Sequence, residues 1–421
     1  MRGEASEPPA LHTMPTALIQ LVSEQPMPNL LALIALRPER VIHVCTPRTA
    51  LRSAQIAEAA RQAGLTPEFE SVQLSPMPGI QETEGAVRAA IRDARTAEHQ
   101  PVVNFTGGTK LMSIAAFACA MNQKVCSLYV DTDDAVFVDG GSGPALSTLL
   151  GDDQTFTAIA RRLTVNSVVV AHGRERVTGG QDWRPLLTLG RHLLHHRTEE
   201  QATHEAIHGQ DGLLPGGHEP RDPAGWLQVL DRPLILPDAV IALSAEAGVL
   251  DLSSGHARLP QSSRAELEEL AAHHVSDFRS RYYNAVAPLQ RSLTALGGAW
   301  WEVCVADAAT RCGFFRDVRW AAHVGERRGF DVEEDILALE GVRLVAVSCK
   351  RAGAGKQRLV AHLAEFNART EQLGGRFVRR FLALAWPPRG RQWEILQEKA
   401  RELNIRLLTP ETFERPDAFA P

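Results

Sequence analysis

The feature that most constrains the fold is the alternation of short, mainly apolar runs with helix-length segments between residues 14 and 150. The runs ALIQLV, VIHVC, FESVQL, VVNF and VCSLYV have the length and composition of strands. Strands that are apolar along their whole length are typical of a parallel sheet covered by helices on both faces. The pattern therefore predicts an α/β protein with a Rossmann-like domain at its amino terminus.

The chain has 421 residues, which predicts two or three domains. Residues 151–262 are rich in Gly, Pro and His, and we interpret them as a connector region in which LILPDAVIALSAEAGVLDLSS forms a small antiparallel hairpin. Residues 263–421 read as a helix, a hairpin, a helix and a strand. This order predicts a second α/β unit with a mixed central sheet.

Charge and hydropathy exclude several classes of protein. The net charge of -5 argues against a protein that coats nucleic acid over its whole surface, since such binding needs phosphate neutralisation. No apolar run reaches the roughly 18 to 20 residues that span a bilayer. The residues before Met14 lack the apolar core of a signal peptide and are expected to be disordered, and the six cysteines contain no C-x-x-C pair. We expect a soluble, cytoplasmic protein without a membrane partner.

A loop suited to an anion follows the predicted strand VVNF. Thr106, Gly107, Gly108, Thr109 and Lys110 lead from that strand into a helix. Backbone amides, the positive end of the helix dipole and a lysine converge there. The loop matches neither the P-loop nor the G-x-G-x-x-G motif, so it indicates neither a nucleoside triphosphate nor a dinucleotide.

Two further polar loops are expected at the same edge of the sheet, where ligands of such folds bind. One contains Ser23, Gln25 and Asn29, and the other contains Thr46. The segments LVSEQPMPN and NFTGGTKLMSIAAFACA resemble the CARF domain of CRISPR-associated effectors, in particular the family that joins one CARF domain to one nuclease domain.

The resemblance implies a homodimer that holds a cyclic oligoadenylate, in particular cyclic tetra-adenylate, across its two-fold axis. A ring with repeated phosphates is self-symmetric, and an isologous dimer presents each anion loop twice. The residues assigned to the ligand are Ser23, Gln25, Asn29, Thr46, Thr106, Gly107, Gly108, Thr109 and Lys110.

The carboxy-terminal hairpin carries a second candidate site. Metal-dependent phosphodiester cleavage needs carboxylates for Mg²⁺ or Mn²⁺ and a lysine near the attacking water or the developing charge. Asp335 begins one apolar strand, and Lys350 ends the next. This frame resembles the PD-(D/E)XK nuclease core of the same effector family, with Glu302 in GGAWWE as its upstream acid. The resemblance implies catalytic roles for Glu302, Asp335, Ser348 and Lys350, with Glu302 and Asp335 as metal ligands.

One position departs from the nuclease pattern. The family has acid-x-Lys, whereas this chain has Ser348-Cys349-Lys350, and a hydroxyl is a weaker ligand for a hard cation than a carboxylate. Either a nearby acid compensates, with Glu302, Glu333 and Glu334 as candidates, or the fold has become a binding module.

The segment from Lys350 to Arg380 contains eight Lys or Arg and two acids, which suits a phosphate backbone or else a solvated helix face. The leading hypothesis is a nuclease that cuts DNA, RNA or both when cyclic oligoadenylate binds. The alternatives are a ligand-responsive nucleic-acid-binding protein with a degenerate nuclease fold, and a ring nuclease that degrades the cyclic ligand.

Overall fold

The fold was analysed in a computed structural model. It describes residues 14–150, 155–180, 182–253, 256–273, 277–325, 331–351, 356–375, 378–413, 415 and 417–420. Of five residues in these ranges only the backbone is described, namely Gly216, Ser253, Asp331, Lys356 and Gln357. The segment before Met14, which we expect to be disordered, lies outside the described residues. Among the described helices, none is long and apolar enough to cross a bilayer.

The amino-terminal unit is the predicted Rossmann-like sheet. Its strands are β1 (Thr16–Leu21), β2 (Arg40–Cys45), β3 (Glu68–Gln73), β4 (Gln100–Asn104), β5 (Cys126–Asp131) and β6 (Val136–Asp139). Its helices are α1 (Met27–Leu36), α2 (Ala50–Gln62), α3 (Ile80–Thr96), α4 (Lys110–Gln123) and α5 (Leu146–Leu150). The strand order is β3-β2-β1-β4-β5-β6, and every pairing is parallel except β5 with β6.

Helices cover both faces of this sheet, as the apolar strands predict. Helix α1 is buried along its whole length on one face, and α3 and α4 pack on the other through residues such as Val87, Ile91 and Ala116. The central strands β1, β2 and β4 are buried after their first residue because neither face meets water there, whereas the edge strands β3 and β6 are partly exposed. The Rossmann-like prediction is therefore confirmed.

The middle segment is mostly helical. It contains α6 (Phe156–Ala160), α7 (Val165–Ala171), β7 (Val177–Thr178), α8 (Arg184–His195), α9 (Arg197–His208), α10 (Pro223–Asp231), α11 (Asp238–Glu246), β8 (Asp251–Ser253) and β9 (His256–Arg258). The predicted hairpin is wrong over most of its length, because residues 238–246 form α11 and only β8 and β9 pair. Pro237 precedes this helix, and Asp238 places an acid in its first turn, which suits the helix dipole.

The carboxy-terminal unit is the predicted mixed α/β sheet. It contains α12 (Arg264–Ala272), α13 (Phe278–Thr294), α14 (Trp300–Arg311), β10 (Arg316–Gly325), β11 (Asp331–Glu340), β12 (Arg343–Lys350), α15 (Lys356–Gly374), β13 (Arg379–Leu384), α16 (Arg391–Glu402), β14 (Ile405–Leu408) and α17 (Pro410–Phe413). The order is β14-β13-β12-β11-β10-β7, with β10, β11 and β12 antiparallel and β12, β13 and β14 parallel.

The middle segment packs against both sheets. Strand β7 extends the second sheet beside β10, and α8 packs against α14. Helix α7 contributes Val168 and Val170 to a core that also holds α1 and, from β11, Leu337 and Leu339. The two sheets are thus joined through a continuous apolar core, with the middle helices as part of it.

Candidate functional site

The three predicted ligand loops lie side by side. They follow β1, β2 and β4, which are adjacent and parallel, so their carboxyl ends reach the same edge of the sheet. We call the loops 23–29, 46–49 and 106–110 together the carboxyl edge. The structure therefore brings together the residues that the sequence assigned to a ligand.

The paired glycines allow the β4 loop to pack directly on the end of β1. A Cβ atom at Gly107 would lie 2.0 Å from the carbonyl oxygen of Leu21, and Gly108 has a φ of +77°. Thr109 then caps α4, where its Oγ1 accepts a hydrogen bond from the backbone amide of Met112 at 3.3 Å. Lys110 is exposed in the first turn of α4 and forms no ion pair with any described residue. The loop thus keeps an uncompensated cation at a helix amino terminus, which suits an anion.

Two of the assigned threonines are engaged within the loops. The hydroxyl of Thr106 donates to Asn104 Oδ1 at 2.7 Å and accepts from the amide of Val130 at 2.7 Å. The hydroxyl of Thr46 lies 3.3 Å from that of Thr49, and Thr49 Oγ1 accepts from the amide of Thr46 at 3.0 Å. These side chains shape the loops. Whether they also touch a ligand stays a prediction.

The loop after β1 contains two buried oxygen atoms without a hydrogen-bond partner. They are Oε1 of Gln25 and Oδ1 of Asn29. Asn29 is completely buried and donates through Nδ2 to the carbonyl of Leu21 at 2.9 Å, so it attaches the loop to the end of β1. The hydroxyl of Ser23 donates to the backbone carbonyl of Gln25 at 3.0 Å. Unsatisfied acceptors are costly when buried, which is why they often mark a place where a ligand supplies the donor.

A buried polar row supports this edge and was missed by the sequence analysis. Its buried members are Asn104, Gln20 and His43 on β4, β1 and β2, and the exposed Ser71 occupies the matching register position on β3. Gln20 Nε2 lies 2.8 Å from His43 Nε2, and His43 Nδ1 lies 2.7 Å from the hydroxyl of Ser53. Burial lowers the pKa of His43 from 6.5 to about 4, so the ring is neutral at pH 7. The row is a neutral hydrogen-bonded network.

The hairpin brings the predicted nuclease residues together around Asp335. Its Oδ2 accepts from the hydroxyl of Ser348 at 3.1 Å and from the amide of Cys349 at 2.6 Å. Nζ of Lys350 lies 3.6 Å from the same oxygen. Because β11 and β12 are paired, Asp335 lies beside the end of β12, as the motif spacing predicts. Asp335 does not begin its strand, however, since β11 starts four residues earlier, at Asp331.

Glu302 completes the cluster from α14. Its Oε2 accepts from the indole Nε1 of Trp320 at 2.9 Å, which fixes the carboxylate against β10. Burial, followed by the negative charge of Asp335, raises the pKa of Glu302 from 4.5 to about 7. Two carboxyl groups that disfavour each other's charge would be stabilised by a cation between them.

The three acids that could compensate for the missing carboxylate at Ser348 lie in different places. Glu334 is completely buried, and its two oxygens accept from Arg369 at 2.6 and 3.2 Å. It occupies the opposite face of β11 from Asp335, because successive strand residues alternate. Glu333 is exposed and shares the face of Asp335, and its charge also raises the pKa of Glu302. The structure therefore favours Glu302 and Glu333 over Glu334 as partners of Asp335.

His362 on α15 is a member of the site that the sequence analysis missed. Its Nε2 lies 2.9 Å from the hydroxyl of Ser348. Burial, and then the positive charges of Lys350 and Arg369, lower the pKa of His362 to about 4, so the ring is neutral at pH 7. Since the single hydroxyl proton of Ser348 is donated to Asp335, Nε2 of His362 acts as the donor to Ser348.

The donor set fits a hard divalent cation only in part. Glu302 and Asp335 supply carboxylate oxygens, which Mg²⁺ and Mn²⁺ prefer. Over the described residues, no group of three or more His, Cys, Asp or Glu side chains is placed to hold a metal ion. Two carboxylates with water and a substrate phosphate filling the other positions are a common Mg²⁺ arrangement. Binding of a metal ion by Glu302 and Asp335 therefore stays a prediction.

The cationic segment after Lys350 is largely engaged within the protein. Five of the eight cations from Lys350 to Arg380 bond internally, namely Lys350 to Asp335, Arg351 to Glu200, Arg369 to Glu334, Arg379 to Glu340 and Arg380 to Thr370. The side chains of Lys356 and Arg376 lie outside the description, and Arg358 is exposed. Because the four bonded arginines are held by the fold, the local charge excess is weaker support for a phosphate-binding face than its count implies.

Comparison with known proteins agrees with the fold of both units. The family model described as the Card1 CARF domain matches residues 17–139, which span β1 to β6. The amino-terminal unit is therefore a CARF domain. No curated protein matches the chain.

Three solved structures are similar over nearly the whole chain. Can2 from Sulfobacillus thermosulfidooxidans in complex with cyclic tetra-adenylate is 15% identical, with a TM-score of 0.62, covering 93% of this chain and 95% of that one. Protein VC1899 from Vibrio cholerae is 12% identical, with a TM-score of 0.66 and 95% of each chain covered. A type III CRISPR defence DNA nuclease activated by cyclic oligoadenylate is 15% identical, with a TM-score of 0.55, covering 100% of this chain and 54% of that one. At these identities the likeness establishes the fold.

Proposed function

We propose that the protein is a type III CRISPR effector in which cyclic oligoadenylate, specifically cyclic tetra-adenylate, activates a metal-dependent nuclease that cuts DNA, RNA or both. The observation that carries the proposal is the meeting of Asp335, Lys350 and Glu302 on a unit attached to a CARF domain. Structural similarity to Can2, which was solved with cyclic tetra-adenylate, supports the choice of activator.

The carboxyl edge supplies the chemistry for the activator. Lys110 and the amides at the start of α4 suit a phosphate, and the unpartnered oxygens of Gln25 and Asn29 suit donors such as an adenine amino group or a ribose hydroxyl. A polyanion with several hydrogen-bonding groups therefore satisfies both features of this edge.

A homodimer would place two carboxyl edges around one ring. Helix α4 exposes an apolar stripe of Leu111, Ile114 and Met121, whose side chains are 52%, 58% and 43% exposed. These positions recur at i, i+3 and i+10, on one face of the helix that starts at Lys110. An exposed apolar stripe beside the ligand loop is a suitable dimer contact, because a second copy would bury it.

The hairpin supplies the chemistry for cleavage. A divalent cation held by Glu302 and Asp335 would polarise the scissile phosphate and lower the pKa of a bound water. Lys350 would stabilise the negative charge that develops on the phosphate, since its Nζ lies 3.6 Å from Asp335 and is partly exposed. Asp335 holds the backbone of Cys349 and thereby fixes the end of β12 on which Lys350 lies.

One contact joins the carboxyl edge to the nuclease unit, and another joins the β5–β6 turn to it. A Cβ at Gly375, in the turn before β13, would lie 3.3 Å from Nε2 of Gln25, so the ligand loop touches that turn. Arg343 Nη2 at the start of β12 lies 3.5 Å from Asp133 Oδ1 in the β5–β6 turn. A ligand that moves either loop would shift the nuclease sheet, which offers a route for activation.

The test is incubation with supercoiled plasmid or labelled RNA in Mn²⁺ or Mg²⁺, with and without cyclic tetra-adenylate. Ligand-dependent cleavage that is lost in Lys350→Ala but kept in Lys399→Ala supports the proposal, because Lys399 pairs with Glu402 on α16, away from the hairpin. Intact ligand binding without cleavage of either polymer in any metal would refute it. Loss of the ring itself would identify a ring nuclease.

Ser348 favours a second candidate, a ligand-responsive binding protein with a degenerate nuclease fold. The neutral hydroxyl occupies the place of an acid and is already bonded to Asp335 and His362. Ser348→Glu separates the two candidates. Increased cleavage, or a lower Mn²⁺ requirement, would show that the missing carboxylate limits an active nuclease. An inert Ser348→Glu variant that still binds nucleic acid would favour the second candidate.

A further inference from the structure

The chain segment after β13 lies directly beside the end of β12. The two strands are parallel, and Lys350 is in register with Leu384. The pairing continues beyond both strands, since the amide of Ala385 donates to the carbonyl of Lys350 at 3.1 Å and that of Trp386 donates to Arg351 at 3.0 Å. Residues 385–389 therefore begin at the same end of the sheet as the candidate catalytic lysine.

A cavity of about 510 Å³ opens at this end of the sheet. Its lining residues are Arg197, Ala385, Trp386, Pro387, Pro388, Arg389, Pro410 and Glu411. The volume lies within the range of about 300 to 1,000 Å³ that is usual for small-molecule sites. We call it the Trp386 cavity.

The walls of the Trp386 cavity combine an aromatic ring with two arginines and one acid, Glu411. The guanidinium carbon of Arg197 lies 4.8 Å from the ring centre of Trp386, a cation–π distance. Arg197 and Arg389 are exposed, and neither forms an ion pair with a described residue. The indole Nε1 of Trp386 is a buried donor without a hydrogen-bond partner.

The position of Arg197 over the indole is fixed from the nuclease strand. Arg197 is the first residue of α9, and Glu200 in the same turn forms a buried ion pair with Arg351. Arg351 follows Lys350 directly, so this ion pair ties the first turn of α9 to the end of β12. The aromatic and cationic walls are thus held in place beside the candidate catalytic residue.

We propose that the Trp386 cavity binds one nucleotide of a single-stranded nucleic acid next to the scissile phosphate. The base would stack on the outer side of the Arg197 guanidinium, which the indole of Trp386 holds in place at 4.8 Å, and Arg389 would contact a phosphate. This inference rests on the proposed nuclease function. A single strand suits the cavity better than a duplex, because the faces of its bases are free to stack on an aromatic ring.

The experiment measures binding of fluorescein-labelled single-stranded DNA, single-stranded RNA and blunt duplex DNA by anisotropy, with cyclic tetra-adenylate and with EDTA to prevent cleavage. We expect Trp386→Ala to weaken single-strand binding about tenfold and Trp386→Phe to retain most of it. Arg389→Ala should weaken binding and reduce the salt slope by about one. Arg391→Ala is the matched control, since Arg391 is exposed two residues further on and does not line the cavity.

Unchanged single-strand binding by Trp386→Ala would overturn the inference, as would an equal loss for single strands and the duplex. If Trp386→Phe lost binding and melting temperature together, the ring would be structural and the inference would also fail. The failures are distinguishable from those of the proposed function. A wild-type protein that cuts duplex DNA but binds no single strand contradicts only the inference. A protein that cuts no polymer contradicts the proposed nuclease function, and the anisotropy measurement then still tests binding at the Trp386 cavity.

Discussion

The two polar clusters of the molecule differ in how their buried groups are satisfied. In the CARF sheet, Asn104, Gln20 and His43 are neutral and hydrogen-bond one another across adjacent strands. In the hairpin, Asp335 and Glu302 are acids close enough for the charge of one to raise the pKa of the other. A neutral network stabilises the loops around it, whereas two acids that disfavour each other's charge form the place where we propose that a cation binds. The polar row thus supports the ligand loops, whereas the hairpin cluster is the proposed catalytic site.

The largest expected effect follows from removing the charge at the hairpin. Asp335→Asn keeps the size of the side chain but loses a metal ligand and the partner of Lys350. We expect ligand-dependent cleavage to fall by at least about 100-fold. The measurement is the initial rate on a labelled oligonucleotide at saturating cyclic tetra-adenylate. Retained cleavage would place the active site elsewhere, and an unchanged melting temperature serves as the control for folding.

The neutral network predicts a pH dependence of stability. The pKa of His43 is lowered from 6.5 to about 4 by burial, so its contribution to stability is complete above pH 6.5 and is lost as the pH falls toward 4. Between pH 6.5 and 4 the unfolded chain binds a proton that the folded chain does not, so the unfolding free energy falls by about 3 kcal/mol over this range. Urea unfolding of the wild type and His43→Gln between pH 7.5 and 4 measures it. Parallel pH curves for the two proteins would show that His43 does not titrate as stated.

The close approach of two loops at the carboxyl edge predicts a steric effect. Gly107→Ala would place a Cβ 2.0 Å from the carbonyl oxygen of Leu21, so the β4 loop must shift. We expect a loss of about 1–3 kcal/mol in unfolding free energy together with weaker ligand binding. Gly85→Ala in α3 is the control, because a Cβ there meets no atom within 4 Å. Equal behaviour of the two variants in urea and in calorimetric titration would contradict the described packing.

The smallest expected effect concerns the contact between the two regions. Arg343 and Asp133 are both substantially exposed, so their ion pair is worth at most about 1 kcal/mol. Arg343→Asp should reduce activation by cyclic tetra-adenylate about twofold while ligand affinity changes little. The charge-swapped double variant with Asp133→Arg should restore activation. If the single variant and the swap behave alike, this ion pair takes no part in the coupling.

The sequence predicted elements better than side-chain partners. The apolar runs predicted β1 to β5 of the first sheet and β11, β12 and β13 of the second, but not β6, β7, β10 or β14. The spacing of Asp335 and Lys350 predicted that these two residues meet. The polar row escaped notice because Gln20, His43 and Asn104 are single polar residues in otherwise apolar runs, and only register aligns them.

Long-range pairing explains the other misses. Charge counting could not foresee that Arg351 and Arg369 bond to acids far away in sequence, at Glu200 and Glu334. His362 and Trp386 belong to elements that carry no recognisable motif, and they join the hairpin only through helix packing and strand pairing. Both residues lie beside the end of β12 only in the folded chain.

The most direct test of the account is the cleavage rate of a labelled oligonucleotide by the wild-type protein in Mn²⁺, measured with and without cyclic tetra-adenylate in otherwise identical reactions. We predict cleavage that requires both the cyclic ligand and the metal. The reason is that, in the proposed mechanism, ligand binding at the carboxyl edge activates the hairpin site, and that site needs a cation. Equal rates with and without the ligand, or no cleavage of any polymer, would contradict it.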